Sequence, residues 1–189
     1  LTVTSGTTAF DVTLDAKLIN QGTVNIDASN LDLHVGATHT GSFNIASGAT
    51  LRVRDTDTHT FGAASAIGGA GKFVQTIDAP TVNVAGTFNP AELELGVGQF
   101  NLTGTGPSSV GSVSISGGQL NANAALTVAS LSQSGGTLTG SGNVAVTSHF
   151  GWNSGTVTGT GQLNTSGLTE LGGPALVANA YLEGTYTER

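Results

Sequence analysis

The chain has no cysteine, no methionine, a single tryptophan and only 9% charged residues. Without cysteine there is no disulfide framework and no thiolate metal or redox site. Five basic residues against twelve acidic ones give a net charge of −7, with no clustered Lys/Arg footprint for nucleic-acid phosphates, so nucleic acid is excluded as a partner. No apolar run approaches the roughly 18 residues of a membrane-crossing helix, so this segment is not expected to span a membrane. Charge is also too sparse for the Glu, Lys and Arg faces that helices usually present.

What is plentiful is glycine, 29 of 189 residues, together with Thr, Ser, Asn and Val; 38% of the chain is hydrophobic. That composition favours strands closed by tight turns, and the length is sufficient for one domain with a substantial core. The class expected is all-β. The segments "SGGTLTGSG" at 134–142 and "NSGTVTGTG" at 153–161 repeat almost the same phrase nineteen residues apart. Gly118, Gly136, Gly155 and Gly173 follow the same period, as do Gly22 and Gly41. A second phrase recurs as "GTVNI", "GSFNI", "GTFN", "GQFNL", "GQLNA" and "GQLNT", placing Val24, Phe43, Phe88, Phe100, Leu120 and Leu163 between polar neighbours. Such alternation puts one face of each short strand inward and the other outward.

Units of 18–19 residues are too short for a propeller blade and suit one coil of a single-stranded parallel β-helix, a β-solenoid with three short strands per coil. In the coil at 136–154, Leu138 supplies one inward position, Val144 and Val146 a second, and Phe150 with Trp152 a third. About ten coils at about 4.8 Å each predict a rod on the order of 45–50 Å long, with Asn side chains forming ladders along it. The period is imperfect around 54–80, where "RDTDTHTFGAASAIGGAGK" reads as an inserted or irregular loop, so residues 1–189 are expected to form one solenoid with one decorated coil. Both ends read as strand, with neither an initiator Met nor a signal segment, and the expectation is a piece of a longer fibre.

Few residues suggest chemistry. Asp55, Asp57 and His59 in "RVRDTDTH" share a strand parity that could converge on a cation, but the spacing matches neither a calcium loop nor a His pair, and a turn near Arg54 is needed to keep the acids out of the core. With Asp78 and the bases Arg52, Arg54 and Lys72, the same region is the one place where a polysaccharide lyase, a hydrolase or a tailspike-like depolymerase could assemble its groups. "AIGGAGKF" at 66–73 fails the phosphate-loop pattern at Ala66 and Phe73 and reads as a flexible connection. Glu92 and Glu94 alternate with Leu93 and Leu95 and belong on an outer face, where they discourage edge pairing. His149 is expected outside the core beside the inward Phe150 and Trp152, where it could contact a ligand. Thr137, Thr139, Thr156 and Thr158 form a small outward row that invites comparison with ice-binding solenoids, although Gln119, Asn121 and Pro174 interrupt it. No catalytic residue, cofactor-binding residue or cofactor is assigned.

The stretches "GTVNIDASNLDLHVGATHTGSFNIASGATLRV" (22–53) and "SGGTLTGSGNVAVTSHFGWNSGTVTGTGQLNTSGLTELGG" (134–173) resemble repeats of large bacterial surface proteins of the filamentous-haemagglutinin and autotransporter-passenger type. The resemblance implies a right-handed parallel β-helix on a secreted or surface-anchored bacterial protein with an adhesive or structural role. Glycans, cell-surface receptors or copies of the chain itself are its expected partners. No catalytic residue of such a family maps onto this sequence.

Overall fold

A computed structural model describes residues 1–4, 11–172, 180–182 and 185–188, the last two spans by their backbone alone. Gly173 and Pro174, used above for the period and for the threonine row, lie outside the described residues. The fold is all-β, with no helix among the described residues; every strand pair is parallel, and the chain winds into a β-solenoid of about 9 turns with roughly 19 residues per coil. That is one turn fewer than the repeat count predicts, because coils in the middle of the chain are longer: Phe43 pairs with Ile67, and His59 with Val82.

Three walls build the cross-section. The first wall stacks Thr23–Ile26 on Ser42–Ile45 and continues through the starts of Ala66–Ile77 and Thr87–Leu95. Further along, the starts of Leu126–Thr139 and Val144–Val157 carry it to Gln162–Thr165. The second stacks Asp11–Leu14, Asn30–Leu33 and Thr50–Arg54, then the later parts of the long strands, and ends at Leu168–Leu171. The third runs from Thr38–His39 and Thr58–Phe61 through Thr81–Val84, Gln99–Leu102 and Gln119–Ala122 to the ends of the two 14-residue strands. Parallel pairing in register forces identical depth on equivalent residues, so alternation becomes columns. On the second wall Leu31, Leu51, Phe73, Leu93, Val113, Leu131 and Phe150 form one such column, all essentially buried. The inward set expected for the coil at 136–154 is also buried: Leu138, Val144, Val146, Phe150 and Trp152.

Between the walls the phenylalanines meet edge to face, except for the tilted pair Phe88–Phe100. Phe43–Phe61 centroids are 5.5 Å apart, Phe61–Phe73 6.2 Å, Phe73–Phe100 5.6 Å and Phe88–Phe100 5.0 Å, a continuous aromatic spine through the N-terminal and middle coils. Outside, the expected amide ladders are present: Asn44 Nδ2 donates to Asn25 Oδ1 at 2.9 Å, Asn101 to Asn83 at 2.8 Å, and Asn121 to Asn101.

The stretch 54–80 departs from its expectation as a loop. It holds the strand Thr58–Phe61 and the 12-residue strand Ala66–Ile77, which pairs with coils on both sides. "AIGGAGKF" is therefore not a flexible connection: Ala66 to Gly68 belong to the first wall, Gly69 turns the corner with φ 120°, and Lys72 and Phe73 start the second wall. Small residues weaken alternation in the sequence, yet neighbouring coils supply the hydrogen-bond partners and packing that such a segment lacks by itself.

Corners are held from both sides. Between the second and third walls Gly118, Gly136 and Gly155 adopt positive φ, and a Cβ on Gly136 would lie 2.6 Å from the carbonyl of Gly117. From inside, two buried amides that alternation does not reveal brace the same corner. Gln75 Nε2 donates to the carbonyls of Pro80, Val97 and Gln99 at 2.9–3.2 Å, and Gln133 Nε2 donates to Thr156 O at 3.0 Å. Buried donors of this kind satisfy turn carbonyls that no strand partner reaches.

Replacing Gly136 by Ala combines a left-handed backbone with a clash against the coil below and is expected to destabilise the fold by about 2–3 kcal/mol. Gly22→Ala, where nothing lies within 4 Å and φ is not positive, is expected to be neutral or stabilising by up to about 1 kcal/mol. Chemical denaturation midpoints of the two variants measure the difference.

Candidate functional site

Charge is partitioned among the walls. The outer positions of the second wall carry Asp11, Asp32, Arg52, Lys72, Glu92, Glu94 and Glu170. The corner after it carries Asp15, His34, Asp55, Asp57 and Asp78. The third wall instead presents uncharged rows in register: Thr81, Gln99, Gln119, Thr137 and Thr156 in one, Asn83, Asn101, Asn121 and Thr139 in the other. Sequence alternation identifies the outward residues; only the winding shows which share a wall.

Most charges on the second wall are spent on neighbouring coils. Asp32, fully buried, receives Arg52 Nη1 at 3.2 Å and Arg54 Nη1 at 3.0 Å. Lys72 reaches Glu92 at 2.7 Å and Glu94 at 2.9 Å, and hydrogen bonding by these two carboxylates raises its ammonium to about 12. Glu92 and Glu94 thus occupy the outer face expected of them, with Leu93 and Leu95 buried beneath. His149 is outside as anticipated, and the structure adds its partner, Glu170 Oε2 at 2.9 Å from Nε2 one coil later.

The acidic stretch divides differently from its shared parity. Thr50–Arg54 ends at Arg54 and the turn needed there follows, but His59 belongs to the third wall and points into the core, with no exposed side-chain surface. Its Nε2 lies 2.7 Å from Asp55 Oδ2. Asp57 turns elsewhere, accepting the Gly36 amide at 3.2 Å, while its own amide donates to Asp55 Oδ1 at 3.1 Å. Asp55 and His59 are therefore a hydrogen-bonded pair and Asp57 braces the turn, and no group of three or more ligating side chains suited to a metal occurs among the described residues. Of the polysaccharide-cleaving set, Asp55, Asp57, Asp78 and Arg54 line an open depression of about 420 Å³ with Asp15 and His34. Lys72 and Arg52 are occupied on the wall by their carboxylate partners instead.

Of the threonines, Thr137 and Thr156 stack directly, and Thr137 and Thr139 continue onto Gln119 and Asn121. Thr158 follows the strand end, its amide bonded to Leu138 O at 2.9 Å. The threonine array is accordingly short and passes into an amide array. Sequence reading also missed the contact of His39 with His59, whose rings stack at 6.2 Å inside the core. Their spacing of twenty residues corresponds to no local motif, and only the winding brings them together.

Comparison with protein-family models, curated proteins and solved structures found no match.

Two consequences are measurable. Asp32→Asn leaves two guanidinium groups without their common counter-charge; because both arginines are partly solvated, the expected loss is on the order of 2 kcal/mol in denaturation experiments. The Lys72 pairs stabilise the fold fully below pH 10.5, and that contribution fades as pH rises through about 12, so Lys72→Gln should flatten the alkaline limb of the stability profile.

Proposed function

We propose that this chain is a non-catalytic stalk segment of a bacterial surface or secreted protein, presenting extended polar faces to glycans or cell-surface receptors outside the cell, or to copies of itself in a fibre. The observation that carries this reading is the third wall. Its amide and hydroxyl rows repeat at about 4.8 Å along successive coils, free of formal charge on Thr81 to Thr156. A partner engaging such a wall forms many weak, equivalent hydrogen bonds, and its affinity grows with the number of coils engaged. The stacked coils make the rod stiff enough to hold those groups in line.

A second reading places a β-helical polysaccharide hydrolase or lyase activity at the corner depression, where Asp55, Asp57 and Asp78 lie with Arg54 and His34. An ice-binding role would rest on Thr137, Thr139, Thr156 and Thr158, a patch that the glutamine and asparagine rows restrict.

The readings separate in one set of assays. The stalk reading expects binding to a neutral glycan array, to cells or to itself by sedimentation. Asn101→Asp with Asn121→Asp should lower that binding at least tenfold, while Asp55→Ala with Asp57→Ala leaves it unchanged. Release of oligosaccharide from a polysaccharide panel, abolished by the Asp55 and Asp57 changes, would instead establish the enzyme. Thermal hysteresis without glycan or cell binding would establish the ice-binding role.

A further inference from the structure

Among the described residues, titratable side chains are buried on one side of the solenoid's midpoint only. Up to Phe61 the fully buried titratable side chains are His39 and His59 in the core and Asp32 beneath Arg52 and Arg54 on the second wall, with Asp55 only 8% exposed. From Gly62 to Gly172 the buried polar side chains are Ser65, Gln75, Ser108, Gln133 and Thr165, none of which titrates. Lys72, Asp78, Glu92, Glu94, His149 and Glu170 in that part all reach solvent.

His39 sits at the centre of the sensitive part. Its Nδ1 accepts the backbone N–H of Asn20 at 3.4 Å, so that nitrogen carries no proton, and its Nε2 is buried without a partner. Asn20 ties its own coil to the next. Its side-chain amide donates to Ser42 O at 2.9 Å, its Oδ1 accepts from Gly22 N at 3.0 Å, and its carbonyl accepts from Thr40 N and Gly41 N. A second proton on His39 would occupy Nδ1 and displace the Asn20 N–H, placing donor against donor. The surroundings offer the resulting cation no counter-charge. The facing groups are Phe43 at 5.1 Å, Phe61 at 4.8 Å and the ring of His59 at 6.2 Å. His59 in turn faces Asp55 and stacks on Val82 of the next coil, while Asp15, His34, Arg54, Asp57 and Asp78 lie out in the corner depression beyond Asp55.

We infer that the Asn20–His39 contact is an acid-sensitive latch: protonation of His39 releases Asn20 and loosens the coils between Asn20 and Phe61, while the coils from Gln99 to Thr165 remain wound. Burial, reinforced by His59, holds the His39 imidazole down to about 4 against an ordinary value of 6.5. An opened segment therefore takes up a proton that the closed one refuses. The sign follows: the closed form has its full stability above pH 6.5 and loses it progressively as pH falls toward 4. The size of the effect is about a hundredfold in the opening equilibrium at pH 4.

Hydrogen exchange on the 189-residue chain, corrected for intrinsic rates and followed by mass spectrometry from pH 7 to pH 4, tests the latch. Amides between Asn20 and Phe61 are expected to lose about a hundredfold in protection by pH 4, with those from Gln99 to Thr165 changing less than about threefold. A uniform loss, or none, overturns the latch, and this regional comparison needs only the unmodified chain. His39→Phe preserves an aromatic ring against Phe61 and removes the proton site, so its N-terminal protection should become flat with pH. If that variant keeps the same loss, the carboxylates Asp32 and Asp55 carry the acid sensitivity and the latch is wrong.

Discussion

Everything in this protein depends on each coil finding the next one directly beneath it and in register. A strand here has no hairpin partner; its N–H and C=O groups are satisfied by residues about nineteen positions away, as in the run Val82, Phe100, Leu120, Leu138 and Val157 down the third wall. One coil encloses too little to be stable alone, so stability is a sum over interfaces between neighbours. The same constraint governs the corners, where a carbonyl of one coil occupies the space in which a side chain on the next would have to fit. Gly136 against Gly117 is the clearest instance.

Register also dictates how polar groups are treated. A residue placed outward finds its equivalents above and below it, which turns isolated asparagines into ladders and isolated charges into bridges between coils. Lys72 between Glu92 and Glu94, or Asp32 under Arg52 and Arg54, are pairs between different turns of the chain. A residue placed inward meets no water, and where it is an imidazole without a carboxylate partner, as at His39, the interior must accommodate a group whose charged form it disfavours. Charge on the second wall and at the corners leaves the outer rows of the third wall from Thr81 to Thr156 neutral, which is what makes that wall a candidate for weak, repeated contacts.

The proposed acid latch and the proposed surface recognition use separate parts of this architecture. The former arises from side chains inside the first few coils, the latter from rows outside the later ones. Because coils communicate mainly with their immediate neighbours, loosening one end of such a rod does not require loosening the other.

The all-β class, the coil length, the three-sided core and the outward place of Glu92, Glu94 and His149 were determined by the sequence itself, because strand alternation and corner glycines are local signals repeated at a fixed period. The strand Ala66–Ile77 was not legible: with four small residues in "GGAG", its local preference is weak and only the adjoining coils supply its partners. The candidate site was less legible still. Shared parity suggested that Asp55, Asp57 and His59 act together, whereas the turn after Arg54 sends His59 inward and Asp57 to Gly36. Which residues meet across coils, Asn20 with His39, His39 with His59, Gln75 with Val97, was decided by the tertiary structure alone, since the offsets between those partners depend on the length of each intervening turn and no local pattern encodes them.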